Sequence, residues 1–336
     1  MTGAGESRSA GRRPVCLVTG ATGAIGPGIV AAMAETHDVR TLSRRPPALS
    51  TFAVPVDPVT GDVTDQGTMR RAAHEVDVII HLAALLHVVE PDPALAAEYE
   101  RVNLEGTAAV VEAALAEGVR RVVMMSTIAV YGHRAPGERL DEGSPPSPDT
   151  MYGRTKLAAE EVALGARRPD GTPLATVLRS AAVYGPRVKG NYERLVHALA
   201  RRRFVPIGAG HNLRTLIFER DLAAAAVLAA RHAAAPGRIY NVSDGTPHPL
   251  REIIAAISAA LGRRPPRWHA PVAPVRTALR AASIVDRRLP RMLDKYLEEV
   301  AVDATRIQTE LGFRPATPLK DGWALTLAEM RRDGRL

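Results

Sequence analysis

The 336-residue sequence is short of cysteine and has no long apolar run. Its single cysteine, Cys16, excludes an internal disulfide and any metal site built from cysteines. No uninterrupted apolar stretch reaches the roughly 18 residues that a membrane-spanning helix needs, so we expect no membrane span and no membrane partner. Residues 1–13 contain Arg12 and Arg13 without an apolar segment behind them, which predicts a disordered tail, not a signal peptide, and a cytoplasmic protein.

Lysine is also scarce, so the formal charge of +8 at neutral pH comes mostly from arginine. Basic stripes bind nucleic acid by neutralising phosphates, but here the arginines are scattered along the whole chain and form no recognised motif. We therefore predict no nucleic-acid partner. Each lysine becomes more informative in this background, because arginine is hard to deprotonate whereas lysine is a compact point charge. The lysines are Lys156, Lys189, Lys295 and Lys320.

The first half of the chain alternates short apolar runs with amphipathic helical patterns, as in VCLVTG, GIVAAMAET, DVIIHLAA and RVVMMST. This alternation predicts an α/β fold, in which a doubly wound parallel sheet is covered by helices on both faces. We expect residues 14–183 to form this domain. Residues 184–336 are predicted to form a smaller α+β domain, with a segment at about 214–243 crossing back onto the sheet.

The stretch VCLVTGATGAIG places a buried strand directly ahead of three glycines, Gly20, Gly23 and Gly26, and a helix is expected from near Pro27. A glycine-rich turn at a helix N-terminus lets backbone N–H groups and the helix dipole approach a pyrophosphate. Glycines alone would be weak evidence, but the strand before them and the helix after them predict a dinucleotide-binding loop.

The stretch TMYGRTKLAAEE sets Tyr152 one helical turn ahead of Lys156. A tyrosine with an ordinary pKa of about 10 is a poor acid at neutral pH, and a neighbouring cation helps because it stabilises the phenolate. Spacing alone would fit two exposed helical residues. The pair follows VVMMSTIAVYG, however, whose strand end supplies Ser126 and Thr127, so we predict a catalytic pair.

Together these motifs resemble the extended short-chain dehydrogenase/reductase superfamily, in the NAD-dependent epimerase/dehydratase branch that contains nucleotide-sugar 4-epimerases and 4-keto-reductases. The resemblance implies a Rossmann-type sheet, a smaller C-terminal substrate-binding domain and a homodimer. It also implies that Thr127 hydrogen-bonds the reacting substrate oxygen, that Tyr152 transfers the proton, and that Lys156 binds the nicotinamide ribose and lowers the tyrosine pKa.

The cofactor contacts are predicted from the glycine loop, from GDVTD, HLAA and VNLEGT, and from the end of the second strand. They are Gly20, Thr22, Gly23, Ala24, Ile25, Gly26, Ser43, Arg44, Asp62, Val63, Leu82, Ala83, Ala84, Asn103, Ser126, Tyr152 and Lys156.

The end of the second predicted strand, DVRTLSRR, indicates which cofactor is used. An acid there would bind the ribose 2′-hydroxyl of NAD, whereas an arginine suits the 2′-phosphate of NADP. The segment offers Ser43 and Arg44 but no acid, since we expect Asp38 to precede the strand. We therefore predict NADP, with NAD as the alternative.

The second half resembles the substrate domain of enzymes acting on UDP-N-acetyl-hexosamines, through GPRVKGN and HNLRTLIFERDLA. The resemblance implies that Lys189, Asn191 and Arg214 contact the nucleotide and its diphosphate, while Thr127 and Tyr152 contact the sugar. UDP-galactose 4-epimerases usually carry an asparagine where this sequence has Ala182, which argues against that particular assignment.

The two residues after Thr127 exclude further reactions. The 4,6-dehydratases of this family have Asp-Glu there and the UDP-glucuronate decarboxylases carry a glutamate in this segment, whereas this chain has Ile128 and Ala129. Without a carboxyl acid or base, neither reaction is expected. The sequence predicts a 4-keto-reductase on a nucleotide sugar, with a 4-epimerase holding NAD tightly as the alternative. A reductase of a sterol, flavonoid or polyketide carbonyl and a non-catalytic NADP-binding protein stay open, and no metal site is predicted.

Overall fold

The computed structural model describes residues 12–86, 93–135, 137–282 and 289–336. Most of the predicted disordered tail, residues 1–11, lies outside the described residues. The last two residues of that tail, Arg12 and Arg13, make polar contacts with residues further along the chain. The guanidinium of Arg12 lies 3.4 Å from the Asp77 carboxylate, and Arg13 donates a 2.8 Å hydrogen bond to the Ala34 carbonyl.

The described residues form strands and helices that we number in chain order. The strands are β1 (Val15–Thr19), β2 (Asp38–Ser43), β3 (Asp57–Thr60), β4 (Val78–His81), β5 (Arg121–Thr127), β6 (Arg139–Leu140), β7 (Ala175–Ser180), β8 (Ala182–Tyr184), β9 (Leu213–Arg214), β10 (Leu216–Phe218), β11 (Ile239–Val242), β12 (His248–Pro249) and β13 (Ala301–Val302). The α-helices are α1 (Gly26–Ala34), α2 (Gln66–Ala73), α3 (Pro93–Tyr99), α4 (Gly106–Ala116), α5 (Met151–Gly165), α6 (Asn191–Ala200), α7 (Glu219–Arg231), α8 (Leu250–Ala260), α9 (Val272–Ala282), α10 (Leu289–Leu297), α11 (Thr305–Leu311) and α12 (Leu319–Arg332). A π-helix covers Glu100–Glu105 and a 3₁₀-helix covers Ile128–Tyr131.

Seven strands form one sheet in the order β11-β7-β5-β4-β1-β2-β3. Strand β1 pairs in parallel with β2 on one side and with β4 on the other. The chain therefore reverses its direction of winding across the sheet beside β1, which is where doubly wound folds bind ligands. This architecture confirms the predicted parallel α/β sheet with flanking helices.

Contacts between Cα atoms divide the chain into two compact units. The first contains residues 12–125, 158–177 and 229–238, and the second contains residues 126–157, 178–228 and 239–336. We predicted a boundary at residues 183–184 and a later segment, at about 214–243, that crosses back onto the sheet. Residues 229–238 group with the first unit, whereas residues 126–157, which we placed in the first domain, group with the second unit. The reason is packing, because β6 pairs with β13 and Tyr131 lies in one apolar cluster with Val302.

In the first unit, the core is built on strands that are buried along most of their length. Every residue of β4 is buried, and four of the five residues of β1 are buried. Cys16 in β1 is fully buried and burial raises the pKa of its thiol, so it remains a protonated core residue.

The second unit has its own core, in which Tyr184 stacks on Trp323 at 4.7 Å between ring centroids. The apolar stretch PLATVLRSAAVYG forms two strands that are separated at Ala181. Its first part is β7 of the main sheet, and its second part, β8, pairs in parallel with β10. In the described part of the chain, no helix is long and apolar enough to cross a membrane. The same residues contain no cluster of three or more His, Cys, Asp or Glu side chains suited to a metal ion.

Candidate functional site

The turn after β1 is shaped by glycines that no other residue could replace. Gly20 has a φ of +68°, and a Cβ on it would lie 2.7 Å from the backbone nitrogen of Ala83. A Cβ on Gly26 would lie 2.1 Å from the Ala21 carbonyl oxygen. The spacing of these glycines is therefore set by close backbone packing, which brings the turn tightly over the ends of β1 and β4.

The N-terminus of α1 is open to a ligand. Ile25 occupies the N-cap position, no side chain caps the helix, and no acidic residue lies in its first turn. Thr22 and Gly23 are exposed ahead of it, while Ala24 and Ile25 are half-buried. Uncapped N–H groups at a helix start bind anions, so this loop fits the pyrophosphate of a dinucleotide.

The end of β2 keeps its predicted lack of acids. Asp38 is the first residue of β2, not the residue before it, and therefore lies at the opposite end of the strand from Arg44. Ser43 is buried and its hydroxyl donates a 2.8 Å hydrogen bond to the Arg45 carbonyl. Arg44 is exposed, so its guanidinium is accessible to a ligand.

Asp62 and Val63 lie in a turn that Arg101 fastens to the π-helix. Asp62 accepts hydrogen bonds of 3.0 Å from both the backbone and the hydroxyl of Thr64, and Arg101 donates a 2.8 Å bond to that hydroxyl. Partial burial opposes ionisation of Asp62, but the Thr64 bonds and the Arg101 charge outweigh it and lower the pKa of Asp62. Val63 is buried. Arg101 was not predicted, because it belongs to no motif that the sequence shows.

Asn103 holds the segment that follows β4. Its side chain is fully buried, accepts a 2.7 Å hydrogen bond from the Leu85 N–H and donates a 3.2 Å bond to the Leu85 carbonyl. It belongs to the π-helix, a rare conformation that is frequent at functional sites. Asn103 thus fixes the backbone of the segment that contains Leu82, Ala83 and Ala84. These three residues are half-buried and are also predicted cofactor contacts.

A buried hydrogen-bond chain lies behind the glycine turn and centres on His81. Thr107 donates from its hydroxyl to the Asn103 carbonyl at 2.7 Å, so at 3.1 Å it must accept from Nε2–H of His81. The other ring nitrogen, Nδ1, then accepts from the Thr19 hydroxyl at 2.8 Å. This chain of hydrogen bonds links β1, β4 and α4. Sequence reasoning missed it, although a histidine inside the apolar run VIIH was a signal.

The second unit holds the predicted catalytic residues. Ser126 is buried near the end of β5, and its carbonyl accepts a 3.2 Å hydrogen bond from the Ser180 hydroxyl. Thr127 caps the 3₁₀-helix that follows, because its Oγ1 accepts a 3.2 Å hydrogen bond from the Ala129 N–H. That bond leaves the hydroxyl hydrogen of the half-buried Thr127 for another acceptor.

The first turn of α5 packs directly against this segment. Thr150 caps α5 by accepting a 3.0 Å hydrogen bond from the Gly153 N–H. A Cβ on Gly153 would lie 2.8 Å from the Ala129 carbonyl oxygen, so only glycine permits the approach. The structure therefore brings the residues beside Tyr152 into contact with the segment that begins at Thr127.

Lys156 is the least expected feature of α5, because only 2% of its surface is exposed. Lysines are rarely fully buried unless their ammonium groups are paired. Tyr152 is half-buried one turn earlier, on the same face of the helix. This spacing ordinarily indicates two exposed side chains. In the structure, neither Tyr152 nor Lys156 is exposed.

The predicted substrate residues differ in their surroundings. Lys189 and Asn191 are exposed at the start of α6, which also lacks a side-chain cap. Arg214 is largely buried, and its Nη2 donates to the carbonyls of Lys295 and Tyr296 at 2.7 and 2.9 Å. Lys189 and Asn191 are free to meet an anionic ligand, whereas Arg214 already serves a structural purpose.

A parallel sheet with a glycine turn at an uncapped helix start is the arrangement of a Rossmann-type, dinucleotide-binding fold. The pattern of the NAD dependent epimerase/dehydratase family matches residues 16–243. The chain belongs to this family, and it is an enzyme.

Known relatives cover most of the chain. It is 31% identical to the 2-alkyl-3-oxoalkanoate reductase of Stenotrophomonas maltophilia (strain K279a), over 82% of this chain and 83% of that one. It is 26% identical to the UDP-glucose 4-epimerase of Vibrio cholerae, over 92% and 93% of the two chains. The solved structure of MoeE5 in complex with UDP-glucuronic acid and NAD is similar over 95% of this chain and 99% of that one, with a TM-score of 0.75 and 28% identity.

Proposed function

We propose that this protein is an NADP(H)-dependent reductase that transfers hydride to C4 of a 4-keto nucleotide sugar. The observation that carries the proposal is Lys156, a buried lysine one turn from Tyr152 on a helix packed against the segment of Thr127. A buried positive charge favours the phenolate form of a nearby tyrosine, which makes proton transfer at neutral pH feasible.

The proposed role of each residue follows from its contacts. Thr127 uses its remaining hydroxyl hydrogen to hold and polarise the substrate carbonyl oxygen. Tyr152 delivers a proton to that oxygen, and Lys156 stabilises the phenolate that remains. A bound nicotinamide supplies the hydride. The turn at Gly20 and the open start of α1 hold the pyrophosphate.

The choice of NADP rests on the end of β2. Arg44 is exposed and could reach a 2′-phosphate, while no acidic residue lies between Val39 and Arg45 to hold a 2′-hydroxyl. The family is described as NAD dependent, and the MoeE5 structure contains NAD, so NAD is the alternative.

Two observations favour other candidates. An epimerase returns the hydride to the opposite face of its own keto intermediate, and the relative from Vibrio cholerae supports this alternative. A reductase of a non-sugar carbonyl needs no diphosphate contact, and the carbonyl bonds of Arg214 together with the relative from Stenotrophomonas maltophilia support that one. A dehydratase is disfavoured, because Ile128 and Ala129 provide no carboxyl group in the 3₁₀-helix.

The test is to incubate the purified protein with NADPH and a dTDP-4-keto-6-deoxy sugar and to follow the absorbance of reduced nicotinamide. Steady oxidation supports the reductase. No oxidation, together with interconversion of 4-epimeric UDP-N-acetyl-hexosamines in the presence of NAD, replaces it with the epimerase. If neither occurs, and Lys189→Ala leaves the KM for a 3-oxoalkanoate substrate unchanged, the non-sugar reductase is favoured.

A further inference from the structure

The C-terminal ends of α6 and α8 form the same kind of turn and lie side by side. After α6, the N–H of Arg202 donates to the Leu199 carbonyl at 3.1 Å, and the next N–H donates to the Ala198 carbonyl at 2.9 Å. After α8, Gly262 and Arg263 repeat this pattern. Arg263 then joins the two ends, because its guanidinium donates a 3.0 Å hydrogen bond to the Leu199 carbonyl.

Among the described residues, Arg202 and Glu75 are the non-glycine residues with a positive φ, and Arg202 occupies a turn position that three other helix ends give to glycine. Its φ is +56°, in the left-handed region that L-residues avoid. The equivalent turns after α4, α8 and α12 have glycine there, at Gly118, Gly262 and Gly334, with φ of +65°, +70° and +67°. Glycine would stabilise the turn after α6 as it does the other three, so folding does not explain the arginine.

Arg202 lines a surface pocket of about 510 Å³ that has both charged and apolar walls. We call this the arginine pocket, defined by Arg202, Arg263, Arg264, Leu199, Phe204 and Leu261. Arg202 and Arg264 are exposed, and within the described residues neither is paired with a carboxylate. The planar guanidinium groups of these arginines can donate paired hydrogen bonds to the oxygens of a phosphate group. The leucine and phenylalanine side chains of the pocket can contact an apolar chain.

Two exposed apolar side chains follow residues of the pocket lining closely in the chain, Val205 directly after Phe204 and Trp268 two residues after Pro266. Trp268 is 70% exposed and Val205 is 45% exposed. Each lies two residues ahead of the parallel bridge between Ile207 and Ala270, so they are neighbours. The sequence from residue 262 to residue 285 contains five arginines and no acid. Tryptophan beside a basic cluster is typical of surfaces that lie at the membrane interface.

We propose that the arginine pocket, with Trp268 and Val205, is a docking site for anionic phospholipid headgroups on a membrane surface. The guanidinium groups bind the headgroup phosphate, and the exposed apolar side chains contact the acyl boundary. This proposal departs from the expectation of no membrane partner, which rested on the lack of a membrane-spanning run; a surface site of this kind needs no such helix. It involves none of the residues assigned to hydride transfer, so it stands or falls independently of the proposed function.

The chain carries its own probe for this interaction. It has two tryptophans, and Trp323 is only 1% exposed, so a change in emission on binding reports Trp268. The full-length protein is titrated with vesicles of phosphatidylcholine alone and with vesicles that also contain phosphatidylglycerol. We expect a blue shift and co-sedimentation only with the anionic vesicles, and no shift in Trp268→Phe.

Arg202→Gly is the decisive variant, because it removes the guanidinium and installs the residue that the turn prefers. It should unfold at the same temperature as the wild type or higher, yet bind anionic vesicles about fivefold more weakly, the usual effect of one basic residue at such a surface. Arg70→Gln, an exposed arginine of α2, is the control for net charge and should bind as the wild type does.

The proposal is overturned if the wild type does not bind anionic vesicles, or if Arg202→Gly and Arg70→Gln bind them with equal affinity. It is also overturned if the protein binds single-stranded DNA through Arg202 but does not bind vesicles, since the pocket would then belong to a nucleic-acid site.

Discussion

Replacing Glu219 with glutamine should reduce the loss of folding stability that the protein undergoes as the pH rises from 5 to 8. Glu219 begins α7, where a Cβ on Gly185 would lie 2.6 Å from its carboxyl carbon. Within the described residues, its Oε2 atom is buried and has no hydrogen-bond partner. Burial, reinforced by the negative charge of Glu329 and opposed by nearby arginines, raises the pKa of Glu219 to about 7.

The sign and size of the effect follow from that pKa. An unfolded glutamate has a pKa of about 4.3, so the folded state keeps a proton that the unfolded chain loses between about pH 4.3 and pH 7. The contribution of Glu219 to the free energy of unfolding is therefore fully present below that pH window and is lost as the pH rises through it. The ceiling is about 3.7 kcal/mol, and we expect about 1–2 kcal/mol because solvent and the start of α7 partly stabilise the carboxylate.

Urea or thermal unfolding between pH 5 and pH 8 measures this effect. The Glu219→Gln variant should differ little in stability from the wild type at pH 5 and should be more stable by about 1–2 kcal/mol at pH 8, a shift of roughly 1–3 °C in Tm for a chain of this length. The exposed Glu161→Gln on α5 is the control and should follow the wild type at every pH. A stability difference between Glu219→Gln and the wild type that stays constant with pH, or that grows towards acid, would refute the reasoning.

Three further variants probe the nucleotide-binding unit. Gly20→Ala should weaken NADP binding about tenfold or more in a fluorescence titration, because it adds about 1–2 kcal/mol of left-handed strain to a clash with Ala83; unchanged affinity would show that the turn is not a ligand site. Arg44→Ala should weaken NADPH binding about tenfold or more while NADH binding is unchanged, as expected for a lost charged hydrogen bond; an equal effect on both cofactors would exclude a 2′-phosphate contact. His81→Phe should destabilise the fold by about 1–3 kcal/mol in urea and weaken cofactor binding, because it breaks the chain from Thr19 to Thr107; a fully stable variant with normal affinity would contradict that positioning role.

The sequence predicted those parts of the structure that depend on local spacing. The strand, glycine turn and helix around Gly20 are adjacent in the chain, and a four-residue interval is enough to place Tyr152 and Lys156 on one face of a helix. Both features could therefore be read from periodicity and turn chemistry.

Contacts between distant residues could not be read in this way. Thr19 and His81 are 62 residues apart, and Arg214 bonds to a carbonyl 82 residues further along the chain. The meeting of α6 with α8 likewise depends on tertiary packing, so the scattered arginines of the sequence gave no hint of the arginine pocket. The grouping of residues 126–157 with the second unit has the same origin, since it follows from the pairing of β6 with β13.

The most direct test of the central claim is the turnover of Tyr152→Phe with NADPH and the 4-keto nucleotide sugar that the wild type reduces. The substitution removes only the phenolic hydroxyl. We predict that the turnover falls by about 10²–10⁴-fold, the loss associated with a missing general acid, while the affinity for NADPH is retained. A turnover within a few-fold of the wild-type value would contradict the account.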